Sequence, residues 1–171
     1  MDNQQENAEA LSHWLGGFLD GEGSFYTKRG RSGYTQVNGE RHQYVHYQPG
    51  ITVVNTHIPT LRIVEAALDH LGLPYHVEWR KPQRANQQIS WGITIRGWKR
   101  CLHAAQALLP YLRTKREQCE NMLELCHNRL QTPLQGPKGL VPYTSRQMEL
   151  IMSLRGRSSA SRRSDSSETE R

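Results

Sequence analysis

The apolar positions change period several times along the chain, and each change marks an element. Across residues 14–25, WLGGFLDGEGSF, the side chains of Leu15, Phe18 and Leu19 share one face of a short helix and point into a core, and the run ends in two acids set between glycines. Alternation follows. Residues 24–28 and 43–54 read as strands joined by an arm, RGRSGYTQVNGER, that is rich in Gly, Arg, Asn and Gln. Period two puts Phe25, Val45, Tyr47, Ile51 and Val53 on one face and Tyr26, Lys28, Tyr44, His46, Gln48 and Thr52 on the other, with a bulge expected at Pro49-Gly50. Residues 56–71 return to helical spacing, with Ile58, Leu61, Val64, Ala67, Leu68 and Leu71 apolar, Gly72 as the stop and Pro74 beyond it. A second hairpin is expected over 75–81 and 87–96, with Ile89, Trp91, Ile93 and Ile95 inward and Gln88, Ser90 and Thr94 outward. Residues 97–109 and 114–130 then read as helices, the first closed by Pro110, the second carrying Cys119, Met122, Leu123 and Cys126 as its stripe.

Two hairpins, each followed by helix, predict an α+β fold with helices layered on one face of an antiparallel sheet. The chain has 171 residues, 36% of them hydrophobic, which suits one core and not two. Residues 1–9 read as a flexible start, 10–132 as the domain, and 133–155 as a Gly/Pro linker (135–142) with a short surface helix (144–154). The Ser/Arg/Glu composition of 156–171 cannot bury a core, so a disordered tail is expected there.

Charge narrows the partners. Lys and Arg number 22 against 16 Asp and Glu, a net +6 with a pI near 9.5, which favours a polyanion such as nucleic acid. Cys101, Cys119 and Cys126 lack metal-ligand spacing and read as reduced thiols. With no apolar run long enough for a bilayer and a polar start unlike a targeting signal, the expectation is a soluble intracellular protein with no membrane partner. It would work in the cytoplasm or nucleoid, or in an organelle matrix if organelle-encoded.

Gly16 and Gly17 each cost about 1 kcal/mol of helix propensity relative to Ala, so a compensating close approach is expected. Ser12 and Gly16 stand four apart with Gly17 beside them, a strip on which a second helix can pack nearly backbone to backbone. Asp20 and Glu22 sit where the helix macrodipole disfavours negative charge, which calls for a cation nearby, and Gly21 and Gly23 can take positive φ to turn the chain out.

The run Leu15-Gly16-Gly17-Phe18-Leu19-Asp20-Gly21-Glu22-Gly23 resembles the motif of the LAGLIDADG homing endonucleases, departing chiefly at Gly16, where alanine stands, and at Glu22, where the second aspartate stands. The resemblance implies a LAGLIDADG-type fold, a saddle of antiparallel strands astride double-stranded DNA with helices behind it. One motif implies a homodimer, with Ser12, Gly16 and Gly17 at the interface. The implied activity is a site-specific double-strand break by metal-dependent phosphodiester hydrolysis, with Mg²⁺ and with the gene inside an intron or intein. An RNA-binding maturase acting on intron RNA and a catalytically silent DNA-binding protein are the alternatives.

By the same resemblance Glu22 is the metal ligand, the Gly21 carbonyl a further one, and Asp20 a more structural acid kept as a candidate ligand. Asn55 is matched to the polar residue holding water near the metal. Lys115, in the corner Leu109-Pro110-Tyr111-Leu112-Arg113-Thr114-Lys115, would stabilise charge at the scissile phosphate, with Arg113 its competitor. Tyr26, Lys28, Tyr44, His46, Gln48, Gln88 and Ser90 are the candidate DNA contacts, since a two-stranded ribbon fits the major groove and these side chains reach bases and phosphates.

Overall fold

In the computed structural model, which describes residues 3–30, 33–37, 40–80, 82, 88–132, 135–136 and 139–155, the motif stretch ends a long helix, α1 (Asn3–Glu22), that starts well before the boundary at residue 10. Leu15 and Leu19 are buried in the core and Phe18 packs against it, as the spacing requires. The helix does not end on a glycine with positive φ. Among the described residues only Gly72 and Gly97 have one, and α1 passes directly into β1 (Gly23–Arg29). Gly23 serves close packing instead: a Cβ there would lie 2.6 Å from the Leu19 carbonyl oxygen.

The arm after β1 is itself a hairpin, β2 (Gly33–Val37) against β3 (Glu40–Tyr44), so the expected strand 43–54 is broken at 45–46 and resumes as β4 (Tyr47–Asn55). No bulge occurs at Pro49-Gly50. β1 and β4 pair in one unbroken antiparallel register from Gly23↔Val53 to Arg29↔Tyr47, with Thr27 opposite Pro49. Helix α2 (Ile58–His70) buries Leu61, Val64, Ala67 and Leu68, while Ile58 at its start stays exposed, and Gly72 at φ 65° follows its end.

Strands β5 (His76–Arg80) and β6 (Ser90–Arg96) complete a four-stranded antiparallel sheet in the order β1-β4-β6-β5. Ile93 and Ile95 are buried as expected, but Ile89 lies before β6 and is exposed. Thr94, expected outward and wet, is fully buried on that opposite face, because it stands on an inner strand with its hydroxyl 2.9 Å from that of Thr52.

Behind the sheet stand α3 (Trp98–Leu108), a 3₁₀ turn (Leu109–Tyr111) and α4 (Arg116–Gln131). The α4 stripe runs through Cys119, Met122, Leu125, Cys126 and the aliphatic stem of Arg129, with Leu125 taking the place assigned to Leu123. All three thiols are buried and unpaired, and burial pushes Cys101 and Cys119 up to about 12, so they are inert core groups. The short pair β7 (Gln135–Gly136) and β8 (Gly139–Leu140) leads to α5 (Ser145–Ser153). This last helix is no surface element. Thr144 caps it with Gln147 in a reciprocal capping box, and Leu150, Ile151 and Leu154 enter the core. Buried Thr27 of β1 donates its hydroxyl to the Ile151 carbonyl at 2.9 Å and its N–H to the Leu154 carbonyl at 3.2 Å. No described helix is long and apolar enough to cross a membrane, and the tail 156–171 lies outside the described residues.

Candidate functional site

The two acids of the motif have different fates. Asp20 accepts the backbone N–H groups of Arg113 and Lys115, each at 2.8 Å, and so supplies the N-terminal cap that α4 lacks from its own side chains. Burial pushes its pKa up, but the amides of Lys115, Arg113 and Thr114 and the Lys115 charge outweigh that and hold it below the ordinary aspartate value. Asp20 therefore braces the junction of α1 with α4. Lys115 returns the contact: its ammonium donates to the carbonyls of Leu19 (3.0 Å) and Gly21 (3.2 Å) at the C-terminal end of α1 and of Gly23 (2.6 Å) at the start of β1. Burial lowers the Lys115 pKa, and the carboxylates of Asp20 and Glu22 only partly restore it.

Glu22 stands exposed at the same end. The cation that the helix terminus called for is thus Lys115, and it shows what the place accepts: a positive group held by hard carbonyl oxygens beside a solvent-facing carboxylate. Those donors suit Mg²⁺ in kind. In number they do not suffice, since no three His, Cys, Asp or Glu residues gather among the described residues and Asp20 is spent on amides. That leaves Glu22 as the carboxylate available at this end among the described residues. Asn55 lies at the same end of the sheet, two residues past the Gly23↔Val53 pair, but its Oδ1 accepts the His57 N–H at 2.8 Å and shapes the turn into α2.

The small-residue strip divides. Ser12 is buried, its hydroxyl on the Ala8 carbonyl at 3.1 Å, and Gly16 is covered by the chain's own Tyr111, whose carbonyl carbon would lie 2.7 Å from a Cβ. Only Gly17 faces open space. With it on the exposed side of α1 are Gly21 and Trp14, whose ring stacks on Phe18 at 5.1 Å. Sequence spacing found the glycine pair; whose backbone each approached needed the tertiary structure.

Register brings successive rows of side chains to the open face of the sheet. Ser24, Thr52, Thr94 and His76 form one row; Tyr26, Gly50 and Arg96 form the next. Gly50 has no side chain, so the Tyr26 ring lies across it, and the Tyr26 hydroxyl meets Arg96, which also pairs with Glu78 at 2.7 Å. Gly92 likewise leaves room for Arg80. Lys28 and Gln48 are cross-strand partners and both are exposed; His46, also exposed, lies in the break before β4, against Gly30. Ser90 is half-buried opposite Arg80, and Gln88 is exposed outside the strand. Tyr44 falls in β3, its side chain outside the described set. The residues missed from sequence are His76, Glu78, Arg80 and Arg96. Alternation in HVEWR offered the signal, but without register it did not say which face was open.

Solved structures share this fold. The homing endonuclease I-CvuI, in complex with its target in the presence of 2 mM Ca, matches with a TM-score of 0.57 at 19% identity over 86% of this chain and 82% of that one. The archaeal intron-encoded homing endonuclease I-Vdi141I, complexed with DNA, matches at 0.57 and 17% identity over 85% and 82%. The homing endonuclease I-TnaI matches at 0.51 and 18% identity over 84% and 86%. The chain has the LAGLIDADG homing endonuclease fold. No family model matches the sequence and no curated protein does, so the likeness is carried by structure. Within the LAGLIDADG fold the motif helix is α1, the saddle is the open face of β1-β4-β6-β5, and the helices α2, α3, α4 and α5 back it.

Proposed function

We propose that the protein is a site-specific homing endonuclease that cuts both strands of DNA by metal-dependent phosphodiester hydrolysis, acts as a homodimer and is encoded within an intron or intein. The observation that carries this reading is the end of α1, where exposed Glu22 adjoins carbonyl oxygens already holding a cation, at the margin of a polar sheet face bearing Lys28, Gln48, His76, Arg80 and Arg96. The DNA complexes of I-CvuI and I-Vdi141I support DNA as the partner.

The exposed face of α1 supports the dimer. Trp14, Gly17 and Gly21 would meet the same helix of a second copy, Gly17 allowing close approach and Trp14 burying apolar surface, and the two Glu22 carboxylates would come together there. Like charges brought together repel unless a cation lies between them. Glu22 and the Gly21 carbonyl would hold Mg²⁺, which when bound would supply charge neutralisation at the phosphate and an activated water. The chain's own residues do the rest: the open sheet face seats and orients the duplex, Asp20 fixes the α1–α4 junction, and Lys115 stands at that junction as a positive group that feels the Glu22 charge.

The test is cleavage of a supercoiled plasmid carrying the uninterrupted exon junction. Wild type should linearise it with Mg²⁺ and not with EDTA. Glu22→Gln keeps the shape and removes the charge, so it should lose cutting by at least about 100-fold, as expected for a group acting at the transition state, while still binding the duplex in Ca²⁺ buffer. Full activity of Glu22→Gln would sink the assignment.

A further inference from the structure

The Lys115 ammonium sits on the Gly21 carbonyl, one of the two groups that the preceding reading gives the metal. It is held by three carbonyls, of which Gly21 is the candidate metal ligand, and its contact to Gly21 is both the longest of the three, at 3.2 Å, and the one exposed to solvent. Its backbone is fixed independently, because the Lys115 N–H is bound to Asp20 at 2.8 Å. A flexible four-carbon stem is thus tethered to a pinned base. We infer that the Lys115 ammonium is the resident cation of the α1 carbonyl cluster and exchanges with the divalent metal there, so that metal binding is what releases the lysine towards the phosphate.

The physical reason is competition for one oxygen. Two cations sharing the Gly21 carbonyl repel, and the divalent one gains more from Glu22 beside it than the ammonium does. The exchange keeps the helix end neutralised in both states: the ammonium satisfies the α1 carbonyls in the free protein, and the metal takes over at Gly21. It also gives Lys115 two roles in sequence, a structural cap first and a phosphate contact second. The inference rests on the metal site proposed above, so the experiment separates the two.

Mn²⁺ binding to the full-length protein, read by electron paramagnetic resonance, is compared among wild type, Lys115→Gln and Glu22→Gln. Exchange predicts that Lys115→Gln binds Mn²⁺ about tenfold tighter than wild type, an ordinary size for coupling between two sites, while Glu22→Gln loses binding. Should Lys115→Gln instead bind with unchanged or weaker affinity while Glu22→Gln still loses it, the metal site stands and the exchange is overturned. If Glu22→Gln binds as well as wild type, the metal site itself is wrong and the exchange falls with it. A second measurement needs no variant. With the lysine side-chain nitrogens labelled, the Lys115 ammonium should give a slowly exchanging signal in the free protein, and Ca²⁺ should remove that protection where Na⁺ at equal ionic strength does not. Protection that persists at saturating Ca²⁺ overturns the exchange.

Discussion

Asp20 and Lys115 each cap the other's helix, and this reciprocity explains why an acid is tolerated at the C-terminal end of α1. The carboxylate does not face the α1 dipole alone; it reaches the amides that open α4, where negative charge is favoured. Hydrogen bonds to a charged group are worth about 1.5–3 kcal/mol each when buried, and this half-exposed site takes a discount for screening. Asp20→Asn should therefore lower stability by about 1–2 kcal/mol in urea unfolding at pH 7. The pH dependence has a definite sign. Because the folded pKa is depressed, the stabilisation is full above the unfolded value of about 4 and is lost as pH falls through the folded value. The two proteins should thus differ in stability at neutral pH and converge in acid; a gap that stays constant down to pH 2 would show that Asp20 is not ionised in this cap.

At the scale of the element, α1 and α5 show how far a local pattern reaches. Adjacent glycines in an apolar helix announce close approach, but the two serve different surfaces. Gly16→Ala drives a Cβ into the Tyr111 backbone, which has no rotamer to move away, and should cost about 1–3 kcal/mol by overpacking. Gly17→Ala meets nothing within 4 Å inside the chain and should hold the isolated fold or stabilise it by up to about 1 kcal/mol. Thermal melts of the two variants decide this, and equal destabilisation by both would refute the division. Gly17→Leu then tests assembly: sedimentation should show the monomer fraction rising while the helix content holds. For α5 the polar start SRQ reads as surface, and its apolar residues look too few for a core element. Their partner, Thr27, lies 124 residues away from Ile151, beyond the reach of any local pattern. Burying Leu150, Ile151 and Leu154 is worth roughly 5–9 kcal/mol at 1.5–3 per side chain, comparable to the whole stability of a small domain. A chain stopped at residue 142 should fail to fold cooperatively, and a normal urea transition in that truncation would disprove the role of α5.

For the molecule as a whole, period two in β1 and β4 made the buried side of the sheet legible, and Phe25, Tyr47, Ile51 and Val53 lie where it put them. At the outer edge, Val77 and Trp79 of β5 share the helix-facing side but are about half exposed. At the site, the family resemblance pointed to Glu22 and to the Lys115 corner, and the structure brings Lys115 to the end of α1, whereas the use of Asn55 in a turn and of Gly16 against Tyr111 depended on contacts that no spacing encodes. The same distinction between held and available groups bears on recognition. Tyr26, Arg96 and Glu78 are engaged with one another, which makes that row a rigid support. Lys28 and Gln48 are cross-strand neighbours at the exposed end of β1 and β4, so these two should read base edges. Gln48→Ala should relax preference at particular base pairs by about 1–3 kcal/mol and leave the others unchanged. Deleting the chain after Gly156 spares α5 and removes four arginines against three acids, so it should weaken binding to every sequence alike and flatten the salt dependence. Binding to a panel of single-base target variants at several salt concentrations separates these effects. If Gln48→Ala left every base preference intact while the tail deletion changed specificity, the sheet would not be the surface that reads the groove.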